Sequence, residues 1–353
     1  MSENLKGRVS VIIPARNEEA NIARVVRSLA GQEGVREILV VNDQSDDRTE
    51  VILRGLEAEL PGVRSLRIES LPEGWKGKAY ALATAARQTS GEWLLFTDAD
   101  TEHLPGSLAA LLEIAEQRGA DLLSVSPGQE TRTWWEKSVI PLVYVKLAGL
   151  YRFEEVSDPN SPAAAANGQF LLIRRDTYQR VGGHEAVRAL ILEDVELARR
   201  VKAAGGRLVF LPGAAWVRTR MYATFQEMWR GWTKNLYLLY GENLGRMLAS
   251  FAAAWMLDLL PTLAFVALCL WFAVEGGSAA VAVAGVACFL LAVGRQWSYG
   301  QALYRLGFDV PLAGYQFPGA LLFSLLLVNS AWAYRVSGRV QWKGREYSTK
   351  GKR

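Results

Sequence analysis

The sequence predicts an α/β protein: a mostly parallel sheet covered on both faces, followed by C-terminal helices that lie in or on a membrane. Three observations carry this prediction. Through the first 125 residues, short apolar runs rich in β-branched residues alternate with segments of helical spacing. Polar and acidic clusters follow those runs, where sheets of this class place their ligand sites. Apolar character is concentrated at 247–334 rather than spread along the chain.

The elements follow in order. Residues 9–13 form a β-branched run ended by Pro14, and 18–29 has helical spacing with Ile22, Val25, Val26 and Leu29 on one face. Strands are expected at 37–41, 63–68, 93–96 and 121–125, alternating with helices at 49–60, 79–87 and 104–117. Such continuous apolar strands suit a parallel sheet buried on both sides. Beyond residue 130 the pattern changes. An apolar run at 140–151 carries Pro141 and Lys146, and 159–166 is a small-residue loop. Strands follow at 170–173 and 208–211, with a helix at 193–203 between them. Residues 224–240 form an amphipathic helix with Phe225, Met228, Trp229, Trp232, Leu236 and Leu239 in one stripe. Its Trp, Tyr, Arg and Lys content suits a membrane interface, although a core-facing helix has the same stripe.

Arg246 and Glu275 bracket 28 residues whose only charge is Asp258. Glu275 and Arg295 bracket 19 uncharged residues, and Asp309 and Arg335 bracket 25 more. About 20 helical residues cross a hydrocarbon core of roughly 30 Å. The first two segments fit a hairpin turning at Gly276, Gly277 and Ser278. The third is interrupted by Pro311 and Pro318, which leaves 319–334 as continuous helix. Three full spans would place the basic tail outside. Two spans with a re-entrant or interfacial third segment keep it inside, in line with the positive-inside tendency. Asp258 is either an intramembrane functional group or an interfacial one, if the span begins near Trp255. The expected organisation is a cytoplasmic domain at 1–246, with a nucleotide-binding half at 1–128 and an acceptor half at 129–246, then membrane helices at 247–334 and a basic tail at 335–353.

Composition narrows the function. Half of the 353 residues are apolar and 22% are charged, which excludes a disordered chain. The net charge of +4 conceals a tail of net +6, leaving −2 for the rest. A basic tail after apolar segments suits anionic headgroups rather than nucleic acid. Cys269 and Cys288 both lie in apolar runs, so no disulfide framework is expected, and His103 and His184 form no metal-spaced pair. The amino terminus has no apolar core of its own, so no signal peptide is expected.

Four segments carry chemistry. Asp98 and Asp100 stand directly after a strand, where two carboxylates suit a hard cation, Mg2+ or Mn2+, and a ribose; a turn or helix cap uses the same residues. The cluster 42–47 offers acceptors to a nucleobase or ribose, or caps a helix through Ser45 or Asp46. Residues 74–78 put Lys76, Lys78 and glycine amides at a helix start, which suits phosphate. Glu193 and Asp194 open a helix, as acids do for dipole reasons, and are also candidates for a general base.

Taken together and in order, residues 9–18, 42–47, 77–78, 98–100, 182–183 and 193–194 resemble a family 2 glycosyltransferase of the GT-A fold, a Rossmann-like nucleotide-diphospho-sugar transferase architecture. The resemblance covers roughly 9–240. It implies inverting transfer from a nucleotide sugar, most often a UDP-sugar. Pro14, Ala15, Asn17 and Glu18 would line the nucleotide pocket, and Asp43 would meet the base. Lys78 would lie near the phosphates, Asp98 near the ribose and Asp100 at the metal. Asp194, beside Glu193, would be the base. Two departures stand out. The family's paired aspartates after the second strand read Asn42-Asp43 here. Its Gln-x-x-Arg-Trp signature is not intact: Arg230 and Trp232 stand in the nearest positions, one residue out of register. That loss favours single-sugar transfer over polymer synthesis.

The C-terminal portion is similar to membrane-bound members near hopanoid and carotenoid pathways and to ceramide-type glucosyltransferases. The expected enzyme is therefore a multi-pass protein of the cell membrane with a cytoplasmic catalytic domain, a metal cofactor and a lipid acceptor bearing a hydroxyl. Alternatives are a polyprenyl-phosphate acceptor, a polysaccharide synthase and a non-catalytic membrane scaffold.

Overall fold

Val9, Val11 and Ile13 point to one side of their strand and Ile12 to the other, and all four are fully buried. A strand buried on both faces has no solvent-facing set of polar residues, which is why the first strand reads as an apolar run broken only by the buried Ser10. The computed structural model describes residues 7–276 and 278–348, without the side chains of Trp342 and Tyr347. The expectations for residues 1–6, for the turn at Gly277, and for Lys350, Lys352 and Arg353 lie outside the described residues.

The chain runs β1 (Val9–Ala15), α1 (Ile22–Leu29), β2 (Val35–Asn42), α2 (Thr49–Glu59), β3 (Val63–Arg67), α3 (Gly77–Ala86) and β4 (Trp93–Phe96). Next come β5 (Thr101–His103), α4 (Ser107–Gln117), β6 (Leu122–Ser126), β7 (Gly128–Gln129), α5 (Trp134–Leu150) and α6 (Phe153–Ser157). Then follow β8 (Leu171–Arg174), α7 (Arg175–Arg180), α8 (Glu193–Ala203), β9 (Leu208–Pro212) and β10 (Val217–Thr219). The last elements are α9 (Phe225–Leu239), α10 (Leu244–Ala253), α11 (Leu260–Glu275), α12 (Ala279–Arg305), α13 (Gln316–Trp332), β11 (Arg339–Trp342) and β12 (Arg345–Ser348). The chain divides into two compact units, one holding residues up to Glu130 with Tyr151–Met221, the other holding Thr131–Leu150 and everything from Tyr222 on.

The first unit is built on a seven-stranded sheet in the order β3-β2-β1-β4-β8-β6-β9. All neighbours are parallel except β8, which is antiparallel to both β4 and β6. The mostly parallel GT-A sheet expected from the sequence is present. α1, α2 and α4 cover one face and α3 and α8 the other. A small three-stranded sheet, β5-β10-β7, stands beside it; its strands of two or three residues are too short to show a periodicity. α1 begins at Ile22 rather than residue 18, because Glu18 and Asn21 form its entry turn: the Glu18 carbonyl accepts the Asn21 and Ile22 amides, and Asn21 Nδ2 donates to the Glu18 carboxylate at 3.0 Å.

The second unit is helical. α5 runs through Pro141 without ending there. Among the described residues three helical runs, Leu244–Glu275, Ala279–Arg305 and Val310–Ser337, are long and apolar enough to cross a membrane. Pro311 lies in a 3-10 turn, Val310–Tyr315. Pro318 falls in the first turn of α13, where no partner for its missing N–H is required, so that helix starts at Gln316 and not after the proline. Pro261 sits at the start of α11, just after a π-helical turn at Ala254–Leu259 that widens the run. Large apolar side chains stay exposed along α11 and α12, among them Leu270, Trp271, Val274, Leu290 and Trp297. α9 buries Met228, Trp232 and Leu236, so this part of its stripe faces the unit's own core. α13 reaches into the α9 backbone: the Ser330 hydroxyl donates to the Thr233 carbonyl at 2.7 Å and accepts the Tyr237 amide at 2.9 Å. The basic segment after α13 includes the β11–β12 hairpin.

A Cβ added at Gly319 of α13 would collide with the Ser138 carbonyl oxygen of α5. Backbone on rigid helices gives way poorly, so Gly319→Ala is expected to cost about 1–3 kcal/mol. A thermal melt of the detergent-solubilised chain checks this, and an unchanged melting temperature contradicts it.

Candidate active site

β1, β2 and β4 are parallel neighbours, so their carboxyl ends lie side by side and bring three sequence clusters together. The loops after β1 and β2 clasp each other. The Asp43 amide donates to the Ala15 carbonyl at 2.8 Å, and Arg16 Nη1 donates to the Asp43 and Gln44 carbonyls at 2.9 and 3.1 Å. The Asn17 amide donates to Ser45 Oγ, and the Asp46 amide to Asn17 Oδ1, both at 3.0 Å. Asn17 and Gln44 hold left-handed backbone, φ +52° and +56°. Non-glycine residues adopt it at a cost that surrounding bonds must offset. Glu18 and Asp43 are buried in this clasp. Neither Ser45 nor Asp46 caps α2: its N-cap is Arg48, which makes no side-chain capping bond, and the Thr49 amide donates to Asp47 Oδ1 at 2.9 Å. Asn42, standing where the family has its first aspartate, turns the loop: its Oδ1 accepts the Ser45 amide and its Nδ2 donates to Glu50.

The centre of the site is Lys78, in the first turn of α3. Its Nζ lies 2.7 Å from Asp98 Oδ1 and 3.0 Å from Glu193 Oε1. Asp98 follows β4 and Glu193 opens α8, so a strand end and two helix starts converge on one ammonium group. Asp194 accepts the Gly168 amide on Oδ2 at 2.7 Å and the Val195 amide on Oδ1 at 2.8 Å. Pro14, Lys78, Asp98, Gly168, Glu193 and Asp194 line one cavity. The side chains of Lys78 and Asp98 keep 35% and 29% exposure, so the cluster is reachable from outside. Asp100 ends the turn that leads into β5, its carbonyl accepting Arg24 Nη2 at 3.1 Å and Thr219 Oγ1 at 3.2 Å.

Electrostatics tie the cluster together. Burial works against the Lys78 ammonium, but Asp98, Glu193 and Asp194 outweigh it and hold its pKa well above the ordinary lysine value. Burial raises Asp194, the neighbouring Glu193 charge raises it further, and Lys78 with two backbone amides only partly offsets this, leaving its pKa at about 6. A carboxylate so placed is a proton acceptor near neutral pH. His184 also lines the cavity; burial and the Lys78 charge lower its pKa to about 3, and its Nδ1 lies 2.9 Å from the Tyr178 hydroxyl. It is neutral and structural here.

Sequence reasoning did not single out His184 or Gly168. The signal for Gly168 was the Asn167–Gly168 turn pair after the small-residue loop. Ala15, Asn17, Glu18 and Asp43 stand on the adjoining clasped loops. Arg230 and Trp232 belong to the second unit, where Arg230 is exposed and Trp232 is buried against Tyr144 and Tyr222.

Residues 10–182 match the family model described as Glycosyl transferase family 2. Over 346 residues the chain is 26% identical to the 4,4'-diaponeurosporenoate glycosyltransferase of Staphylococcus haemolyticus (strain JCSC1435), covering 97% of this chain and 89% of that one. The protein of the same name from Staphylococcus aureus (strain MRSA252) is 26% identical over 348 residues, covering 96% and 88%. Among solved structures, a mannosyltransferase from Pyrobaculum calidifontis in complex with GDP-Man and Mn2+ superposes with a TM-score of 0.55 at 19% identity. That match covers 94% of this chain and 87% of the other, a likeness of fold. Sheet and sequence agree: residues 10–182 carry a family 2 glycosyltransferase domain of the GT-A fold, and the chain is a glycosyltransferase related to the diaponeurosporenoate glycosyltransferases.

Proposed function

We propose that this chain moves a sugar, with inversion, from a nucleotide sugar of the UDP type to the hydroxyl of a membrane lipid. The observation that carries the reading is the meeting of Lys78, Asp98, Glu193 and Asp194 on one cavity at the carboxyl ends of parallel strands. In this reading Pro14, Ala15, Asn17 and Glu18 hold the nucleoside, with Asp43 at the base and Asp98 toward the ribose. Asp194 takes the proton of the acceptor hydroxyl. The freed oxygen attacks the anomeric carbon from the face opposite the diphosphate, which leaves with the bonding electron pair. Lys78 stabilises the negative charge that builds on that leaving group, an electrostatic contribution that usually dominates such steps. Glu193 fixes Lys78 and sustains the basicity of Asp194.

Asp100, with Asp98 beside it, offers the hard oxygen donors that Mg2+ or Mn2+ takes. Among the described residues no three His, Cys, Asp or Glu side chains form a metal cage. The protein would thus fill only part of the shell and leave positions for diphosphate oxygens. Such a cation, when bound, neutralises charge on the departing diphosphate. The three long apolar helical runs and their exposed apolar side chains support a multi-pass membrane setting and a lipid acceptor, with the catalytic unit in the cytoplasm.

The relatives' names favour a second reading of the acceptor, since 4,4'-diaponeurosporenoate is a carboxylate. A carboxylate or a polyprenyl phosphate is already ionised and needs no base. Asp194→Asn separates the readings. With a hydroxyl acceptor, kcat is expected to fall by about 10²–10⁴ while UDP affinity by calorimetry stays within about threefold; near-normal turnover supports an ionised acceptor.

The pH profile gives an independent check. Asp194 is a base only when deprotonated, so kcat/KM for a hydroxyl acceptor should rise as pH rises through about 6 and then level off. A flat profile through that range contradicts the assignment. A Cβ at Gly168 would lie 2.8 Å from Lys78 Nζ. Gly168→Ala should therefore displace the lysine and lower kcat/KM by on the order of 10–10². Unchanged kinetics of this variant would remove Lys78 from the mechanism.

A further inference from the structure

Asp258, on the π-helical turn before α11, has a fully buried side chain, 0% exposed. Its Oδ2 accepts Lys146 Nζ from α5 at 2.9 Å, and its Oδ1 accepts Arg295 Nε from α12 at 2.7 Å and Gln316 Nε2 from α13 at 2.9 Å. Four elements of the second unit thus meet on one carboxylate, and two cations face one anion. The carboxylate accepts from three donors, while the Arg295 guanidinium keeps donors to spare. Arg295 spends its Nε on Asp258, and its two terminal nitrogens hydrogen-bond to nothing among the described residues. The Arg295 side chain stays 34% exposed, against 15% for Lys146.

One helical turn on, Tyr299 is 3% exposed, and its hydroxyl has no hydrogen-bond partner among the described residues. It shares a face with Arg295 and lies within Coulombic reach of Asp258. A cation in excess and a buried hydroxyl without a partner are both unfavourable in an apolar helix bundle, and one ligand would satisfy both. An arginine pinned through Nε presents its terminal nitrogens as a fork, which matches carboxylate or phosphate oxygens. The neighbouring surface is apolar: Val293 and Trp297 on the same helix are 45% and 70% exposed.

We propose that Arg295, backed by Lys146 and Asp258 and joined by the Tyr299 hydroxyl, is a binding site for the anionic headgroup of a membrane lipid, a phosphate monoester or carboxylate. The inference rests on the proposed membrane setting of these helices and is independent of the donor and acceptor chemistry of the first unit.

The test titrates the full-length chain, in neutral detergent, with phosphatidic acid and counts bound lipid by native mass spectrometry. Oleate supplies the carboxylate arm, phosphatidylcholine the neutral one and millimolar inorganic phosphate the free ion. Phosphatidic acid and oleate should bind at least about tenfold more tightly than phosphatidylcholine, and inorganic phosphate should not displace them. Arg295→Gln should weaken phosphatidic acid by about tenfold or more, and Arg295→Lys, which keeps the charge but loses the fork, should restore only part of that loss. Equal binding of phosphatidylcholine, undiminished binding by folded Arg295→Gln, or displacement by inorganic phosphate overturns the proposal. If Arg295→Gln does not fold, Tyr299→Phe decides instead: a loss of about twofold to tenfold supports the site, and unchanged affinity overturns it. UDP calorimetry on the same samples separates this outcome from failure of the transferase reading.

Discussion

One lysine holds the acids of the first unit's cavity together. Asp98, Glu193 and Asp194 come from a strand end and a helix start, and in the absence of Lys78 they would be three carboxylates around a shared cavity. At an effective dielectric near 20, two like charges 4 Å apart repel by about 4 kcal/mol, enough to drive protons onto the acids or push the segments apart. The ammonium group lets the acids stay close, and it does so unevenly. Asp98 and Glu193 pair with it directly, while Asp194 rests on backbone amides and keeps a raised pKa. An uneven division of one positive charge among three acids leaves Asp194 with the raised pKa.

The two units bury charge under different rules. In the first, the acids crowd a cavity that admits solvent, and the compensating cation is reachable from outside. In the second, a single carboxylate is wholly enclosed and carries more donors than it can balance. Around it, the helices expose leucine, valine and tryptophan in a density that water would penalise and lipid would not.

Much of this was legible in the residues. β1, β2 and β4 could be read because their doubly buried stretches are mainly apolar, and the acid clusters could be read because each closely follows its strand. Glu193 and Asp194 were legible as a pair, but their meeting with Lys78 was not, since 115 residues separate Lys78 from Glu193. Gly168 matters through what its missing Cβ leaves open, which no local pattern records. Asp258 drew attention as a lone charge in an apolar run, yet its partner Lys146 lies 112 residues away. Pro318 misled because a proline reads as a break until its position within the first helical turn is known. The β5, β7 and β10 strands exist through pairing with one another and have no pattern of their own.

The hydroxyl of Ser330 completes one rung of the α9 backbone ladder, between the Thr233 carbonyl and the Tyr237 amide. That rung is therefore shared property: α9 cannot close it alone without shedding its neighbour's side chain. If α13 slides along its axis, α9 must tighten onto itself or open to water at residue 233. The curvature of one helix becomes a gauge of where the other stands.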